Sequence, residues 1–245
     1  MPANVPPPSG RIAAVDLARS AALGGMGLFH LVFDLQLFGY LPAGTVAMPG
    51  AWAIFARLVA GSFLFLAGVS LVLAHGQGIR WRAFLRRLAV LVAAALAVSL
   101  ATRAAMPESY VFFGILHAIA ASSVIGLAFL RAPPPLLLAV AGVVLVLPFA
   151  WTSTAFDSPW LTWLGLSAVR PRTMDFEPIF PWFAPFLLGM AFSQIAARTG
   201  LWDRLGPGPA WLRPLAWPGR HSLAIYLLHQ PVLLGLVWLF TRLSD

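Results

Sequence analysis

The recurrence of long apolar runs is what most restricts how this chain can fold. A helix needs about 20 apolar residues to cross the ~30 Å hydrocarbon core of a bilayer. Seven stretches meet or approach that length: residues 12–38, 52–74, 83–101, 110–130, 136–151, 178–197 and 221–241. Lipid offers backbone groups no hydrogen-bond partner, so runs of this kind fold as helices that satisfy themselves. The expected fold class is therefore all-α, a polytopic membrane protein of about seven transmembrane helices. One membrane domain is expected over 11–245, behind a Pro-rich, disordered arm at 1–10.

Charge supports the same class. Only 10% of residues are charged and 60% are hydrophobic, against about 25% charged in soluble domains. A net charge of +8 would suggest nucleic acid in a soluble protein; in a membrane chain it sets topology, and no nucleic-acid partner is expected. Arg80, Arg82, Arg86, Arg87, Arg131, Arg198, Arg204, Arg213 and Arg220 fall in or beside alternate connections, with Asp203 as their lone acid. Glu108, Asp157, Asp175, Glu177 and Asp245 fall on the opposite side. This bias predicts a cytoplasmic N-terminus and an outside C-terminus. Every basic residue is Arg and none is Lys, a compositional habit to which no function attaches.

The missing residue types narrow the chemistry. Without cysteine there is no disulfide, thiolate metal site, iron–sulfur cluster or Cys-bound acyl intermediate. Without lysine a retinal Schiff base is also excluded. Residues 1–10 carry no basic n-region, and Asp16 and Arg19 interrupt the apolar run that follows, so no cleaved signal peptide is expected.

Polar residues inside the runs point to function. The first run carries Asp16, Arg19, His30 and Asp34, although a charge at bilayer depth costs roughly 2.5–3.5 kcal/mol even on the lenient insertion scale. His30 and Asp34 are four apart, share a helix face and can pair. Arg19 and His30 are eleven apart, on one side of the helix and about 16 Å apart along its axis. Counting from the run ends places His30, His117 and His229 near one level, about 10–18 Å below the outer surface. Gln230 and Pro231 flank the last of them. A polar cavity open to the outside is expected there; the plainer alternative for each histidine is a hydrogen bond to a neighbouring helix or carbonyl. A carboxylate that orients an imidazole and raises its basicity suits a general base, which nominates His30 with Asp34. Pro231 should free the carbonyl near Leu227, and Pro181 with Pro185 should break the outer end of the sixth run. At the inner end Asp16, Arg19, Arg220, His221 and Ser222 cluster. Arginines there can hold phosphates of a nucleotide-bearing donor, or simply fix topology and touch anionic lipid.

These residues carry a resemblance. RIAAVDLARSAALGGMGLFH at 11–30 resembles the opening helix of membrane-bound acyltransferases, which share an Arg, ten residues and then a His; Arg19 and His30 match. HLVFDLQLFG (30–39), FFGILHAIAASS (112–123), FPWFAPFLLGMAFS (180–193) and GRHSLAIYLLHQP (219–231) are similar to the heparan-alpha-glucosaminide N-acetyltransferase catalytic-domain family in its short bacterial form. Ser20 stands where that family commonly has Gly, and the large luminal insertions of the lysosomal enzymes are absent, as is a histidine in 39–51. The resemblance implies transfer of an acyl group, acetyl above all, from cytoplasmic acyl-coenzyme A to a sugar hydroxyl or amine on the far side of a bacterial cytoplasmic membrane. It implies no resident cofactor, acetyl-CoA as co-substrate, and His30 as base. With Asp34 as orienting group, the remaining candidates for holding donor or acceptor are Arg19, His117, His229, Gln230 and Arg220. His117 and His229 would orient the acceptor or stabilise the oxyanion. A homo-oligomer is compatible with this reading. Two other classes stand beside it: a proton-linked small-molecule transporter using the same His/Asp groups, and a metal-binding subunit in which His30 and Asp34 join His117 or His229 on zinc.

Overall fold

A computed structural model describes residues 11–46 and 50–244; the expected arm at 1–10 lies outside the described residues. Among these, regular structure is helical: α1 (Ala13–Leu37), α2 (Ala51–His75), α3 (Trp81–Ala105), α4 (Ile115–Ala128), α5 (Pro134–Ala150), α6 (Ile179–Arg198), α7 (Leu201–Leu205), α8 (Arg213–Arg220) and α9 (Ser222–Ser244). Five of them, α1, α2, α3, α6 and α9, are long and apolar enough to cross a membrane. The other two expected spans are shorter: α4 has 14 residues and α5 has 17. The run 110–130 is thus helical only from Ile115. Residues 109–113 instead bond to a distant loop, with Met174 N–H donating to the Ser109 carbonyl and Glu177 N–H to that of Phe113.

Local chemistry explains the boundaries. α1 closes where Gly39 adopts φ 84°, the left-handed region that glycine enters without steric cost. α5 opens with Pro134 in its first turn, where the missing N–H has no intrahelical partner to lose. α6 carries non-helical torsions at Phe180, because a residue before proline is steered away from the α region. Pro148, Pro185 and Pro231 sit inside their helices. The buried hydroxyls of Ser70 and Ser123 are satisfied within their own helices, donating to the carbonyls of Leu66 and Ile119, one turn back.

The chain divides into two compact units, one of residues 8–63 and 205–245, the other centred on 64–204. In the first, α1 packs against α8 and α9. The connection before α9, expected as a Pro/Gly-rich loop, folds there into α8, whose Ala216 and Gly219 are buried. In the second, α6 packs on α5 and α4, and α3 packs on α4. Two glycines let backbones touch in that unit: a Cβ on Gly68 would strike the Phe186 carbonyl, and one on Gly189 the Phe65 carbonyl. Small residues at such crossings are how membrane helices gain close packing, since lipid supplies no hydrophobic drive between them. Large apolar side chains meanwhile face outward on the long helices, Leu58, Leu96, Leu100, Leu228 and Phe240 among them. Such patches are costly in water and favourable in lipid.

Candidate active site

In the first unit, α1 and α9 bring four polar side chains into one set, with Asp34 buried and His30, His229 and Gln230 half-buried. His30 from α1 meets His229 from α9 edge-on, with ring centroids 4.8 Å apart at 64°. Next to them in each helix, Asp34, with no exposed surface, accepts a 2.8 Å hydrogen bond at Oδ1 from Gln230 Nε2. His229 Nδ1 is bonded to the Tyr226 carbonyl oxygen, and the Tyr226 ring lies 5.6 Å from the imidazole. Among the described residues, His30 Nδ1, Asp34 Oδ2, His229 Nε2 and Gln230 Oε1 are buried without a hydrogen-bond partner. Native interiors satisfy nearly all such atoms, and each left over costs about 1–3 kcal/mol. Four such atoms lie together here, each with hydrogen-bonding capacity left over.

The structure brings His30, Asp34, His229 and Gln230 together, but one expected pairing differs. Asp34 does not hydrogen-bond to His30; its carboxylate is engaged by the Gln230 amide of the facing helix. Residues four apart share a face, yet a donor arriving across the helix interface took the carboxylate first. His30 is oriented by His229 and by Phe29, whose ring lies 5.7 Å away.

The second cluster in this unit is an ion-pair knot. Asp16 is 1% exposed. Arg19 Nη1 donates to its Oδ1 at 3.1 Å, while Arg11 Nε and Arg220 Nε approach Oδ2 at 3.0 and 3.4 Å. The latter two are charge contacts without hydrogen-bond alignment, since Asp16 Oδ2 and Arg220 Nε have no bonded partner among the described residues. Ser20 joins α1 to α8: its hydroxyl donates to the Asp16 carbonyl at 3.2 Å and accepts from Gly219 N–H at 2.8 Å. A Cβ at Gly219 would run into that same carbonyl. Of the expected inner cluster, Asp16, Arg19 and Arg220 therefore meet. His221 turns to the Trp217 carbonyl instead. Ser20 and Gly219 were not singled out by the sequence, although Ser20 already stood out as a departure from the family's usual Gly.

His117 belongs to the second unit. Ser99 Oγ donates to the Val111 carbonyl at 2.7 Å and lies 3.3 Å from His117 Nε2, so the hydroxyl oxygen accepts from the ring. His117 and Trp163 flank the Phe113 ring, with centroids 5.5 and 5.7 Å away. Three residues before His117, the N-terminus of α4 abuts the half-buried Asp175, whose Oδ2 accepts from Ile115 N–H at 3.2 Å. Burial pushes the Asp175 carboxyl up to about 6, against the opposing pull of that N–H. Asp157 is the contrast: Ser167 Oγ at 2.6 Å, then the Val169 and Ala168 N–H groups, hold its exposed carboxyl below the usual range. Sequence reading placed both acids in a polar loop without roles. Among the described residues, no group of three or more His, Cys, Asp or Glu is arranged to hold a metal ion.

The family model for heparan-alpha-glucosaminide N-acetyltransferase, catalytic, matches residues 11–231. The chain belongs to this family. No curated protein and no solved structure matches it. The matched stretch opens at Arg11 and closes at Pro231, so it contains both polar clusters and His117. Membership in this N-acetyltransferase family, with five long apolar helices, makes the chain an integral membrane protein of a transferase family.

Proposed function

We propose that this chain is a membrane acyltransferase that moves an acyl group, acetyl in the first instance, from cytoplasmic acyl-coenzyme A to a sugar hydroxyl or amine on the far side of a bacterial cytoplasmic membrane. What carries the reading is that two stretches of the matched region, one from each end of it, supply a single polar set around the buried Asp34: His30 and Asp34 from α1, His229 and Gln230 from α9. In this scheme α4 and α5 also cross, making seven spans with the N-terminus inside. At 1.5 Å per residue they reach roughly 21 and 26 Å, which a locally thinned bilayer accommodates.

The imidazole pair supplies the general base, His30 being the member nominated by its place eleven residues after Arg19. Asp34 and Gln230 anchor the acceptor. At the inner end Arg19 and Arg220, held by Asp16, face the donor's phosphates, where guanidinium forks bind well. With neither Cys nor Lys available, direct attack of the acceptor on the thioester is simpler than a covalent acyl-enzyme.

Calorimetry of acetyl-CoA against detergent-purified protein tests the donor half. Binding that is lost in Arg19→Ala and kept in His30→Ala is expected. Silence from a folded wild type toward acetyl-CoA, coenzyme A and longer acyl donors would remove the acyltransferase reading.

A further inference from the structure

The hydrogen bond from His229 to the Tyr226 carbonyl fixes more than a rotamer. A carbonyl oxygen only accepts, so the bonded ring nitrogen, Nδ1, must carry the proton. In the neutral ring Nε2 is then a bare lone pair, and it is buried without a partner among the described residues. Two rings lie against the imidazole: His30 edge-on at 4.8 Å and Tyr226 tilted at 5.6 Å. His30 has no comparable device. Among the described residues, its Nδ1 is buried and has no hydrogen-bond partner to fix it.

We infer that the proton-accepting atom of the site is His229 Nε2, with the Tyr226 carbonyl as the group that sets its tautomer. This rests on the acyltransferase reading for its chemistry and moves the base from the residue the sequence nominates to its partner. It also excludes neutral His229 as an oxyanion donor, because the nitrogen that faces the site has no hydrogen to give. The step balances without further reactants. The acceptor X–H passes its proton to Nε2 as X bonds to the thioester carbonyl carbon. Collapse of the tetrahedral adduct breaks the C–S bond, and the departing sulfur takes the proton from Nε2 to leave as the thiol. His30 is a positioning residue whose edge contact keeps the His229 plane in place. The other polar groups facing the pair are Asp34 from α1 and Gln230 from α9, which are bonded to each other.

The first test needs no acyl transfer. Protein labelled with 15N-histidine, in micelles, gives imidazole 15N–1H correlations, and His229→Gln identifies the His229 signals. The expected neutral form is protonated at Nδ1 and bare at Nε2, with Nε2 taking up a proton as the pH falls. A neutral form protonated at Nε2 overturns the inference. The second test is the rate of acetyl transfer against pH. His229→Gln should lower kcat by about 100-fold or more, the scale of general-base catalysis, and abolish the rise of rate with pH, while acetyl-CoA binding persists. His30→Gln should lower kcat and keep that rise. A pH limb that vanishes with His30 and survives in His229→Gln assigns the base to His30 and overturns the proposal. Absence of transfer by wild type, with the expected tautomer seen, removes the acyltransferase reading and leaves the proton-accepting atom established.

Discussion

Replacing Gly219 with alanine should detach α8 from α1. The new Cβ would meet the Asp16 backbone carbonyl, and Arg19 Cβ stands only 3.1 Å from it. Neither is the end of a flexible side chain, so the helices must separate. Forcing one methyl into packed backbone costs about 1–3 kcal/mol. Separation also breaks the 2.8 Å bond from Gly219 N–H to Ser20 Oγ, worth about 0.5–1.5 kcal/mol. The sum, about 2–4 kcal/mol, corresponds to a fall of roughly 5–15 °C for a chain of this length. Intrinsic tryptophan fluorescence on heating, in one detergent, reads the midpoint. Gly24→Ala and Gly27→Ala on α1 are the controls: a Cβ at either meets nothing within 4 Å, and an open helix position gains about 0.5–1 kcal/mol from glycine to alanine. A Gly219→Ala midpoint equal to that of Gly27→Ala would refute the close approach of α8 to α1.

Other outcomes follow from the same geometry. Ser20→Ala should cost about 1 kcal/mol, the net worth of its bridging hydroxyl, and its thermal shift should be smaller than that of Gly219→Ala. Asp16→Asn leaves Arg19 and Arg220 facing each other without a carboxylate. Removing one partner of a buried ion pair costs about 3–5 kcal/mol, and the partly exposed arginines place this case at the lower end, read by the same melting assay. Gly68→Ala and Gly189→Ala should each destabilise more than Gly142→Ala, which meets open space. Asp175 gives a pH signature. Its folded carboxyl titrates near 6, above the ordinary value near 3.9, so folding disfavours its ionised form. Its contribution is most favourable below about pH 4 and is lost as the pH rises through about 6, by up to about 3 kcal/mol. Asp175→Asn should therefore flatten the melting temperature between pH 4.5 and 7; a variant that still loses stability across that window contradicts the assignment.

Much of the fold was legible because lipid leaves a chain few options: apolar runs gave helices, and Gly39, Pro134 and the Phe180–Pro181 step ended or broke them where local torsions require. The connection before α9 was harder. Its Pro and Gly residues read as a loop, and only contact with α1 shows that Gly219 is a packing notch. Likewise α4 starts late because residues 109–113 find partners some 60 positions away, which no local pattern announces. At the site, helix spacing and estimated depth put His30, His117 and His229 near one level; His30 and His229 do meet, beside Asp34 and Gln230, while His117 lies in the second unit. The pairing of Asp34 was not legible, since an i,i+4 relation competes with donors from other helices that a single helix cannot reveal. The orientation of His229 likewise depends on which backbone carbonyl its ring reaches.

Transfer of label tests the central claim most directly. Proteoliposomes with [14C]acetyl-CoA on the face bearing the arginine connections and glucosamine, glucose and short glucosaminide oligomers on the other should accumulate acetylated sugar. His229→Gln should abolish that accumulation, and Arg19→Ala should suppress it. Folded wild type that binds acetyl-CoA yet passes no label to any amine or hydroxyl acceptor would contradict the assignment of this polar set to acyl transfer.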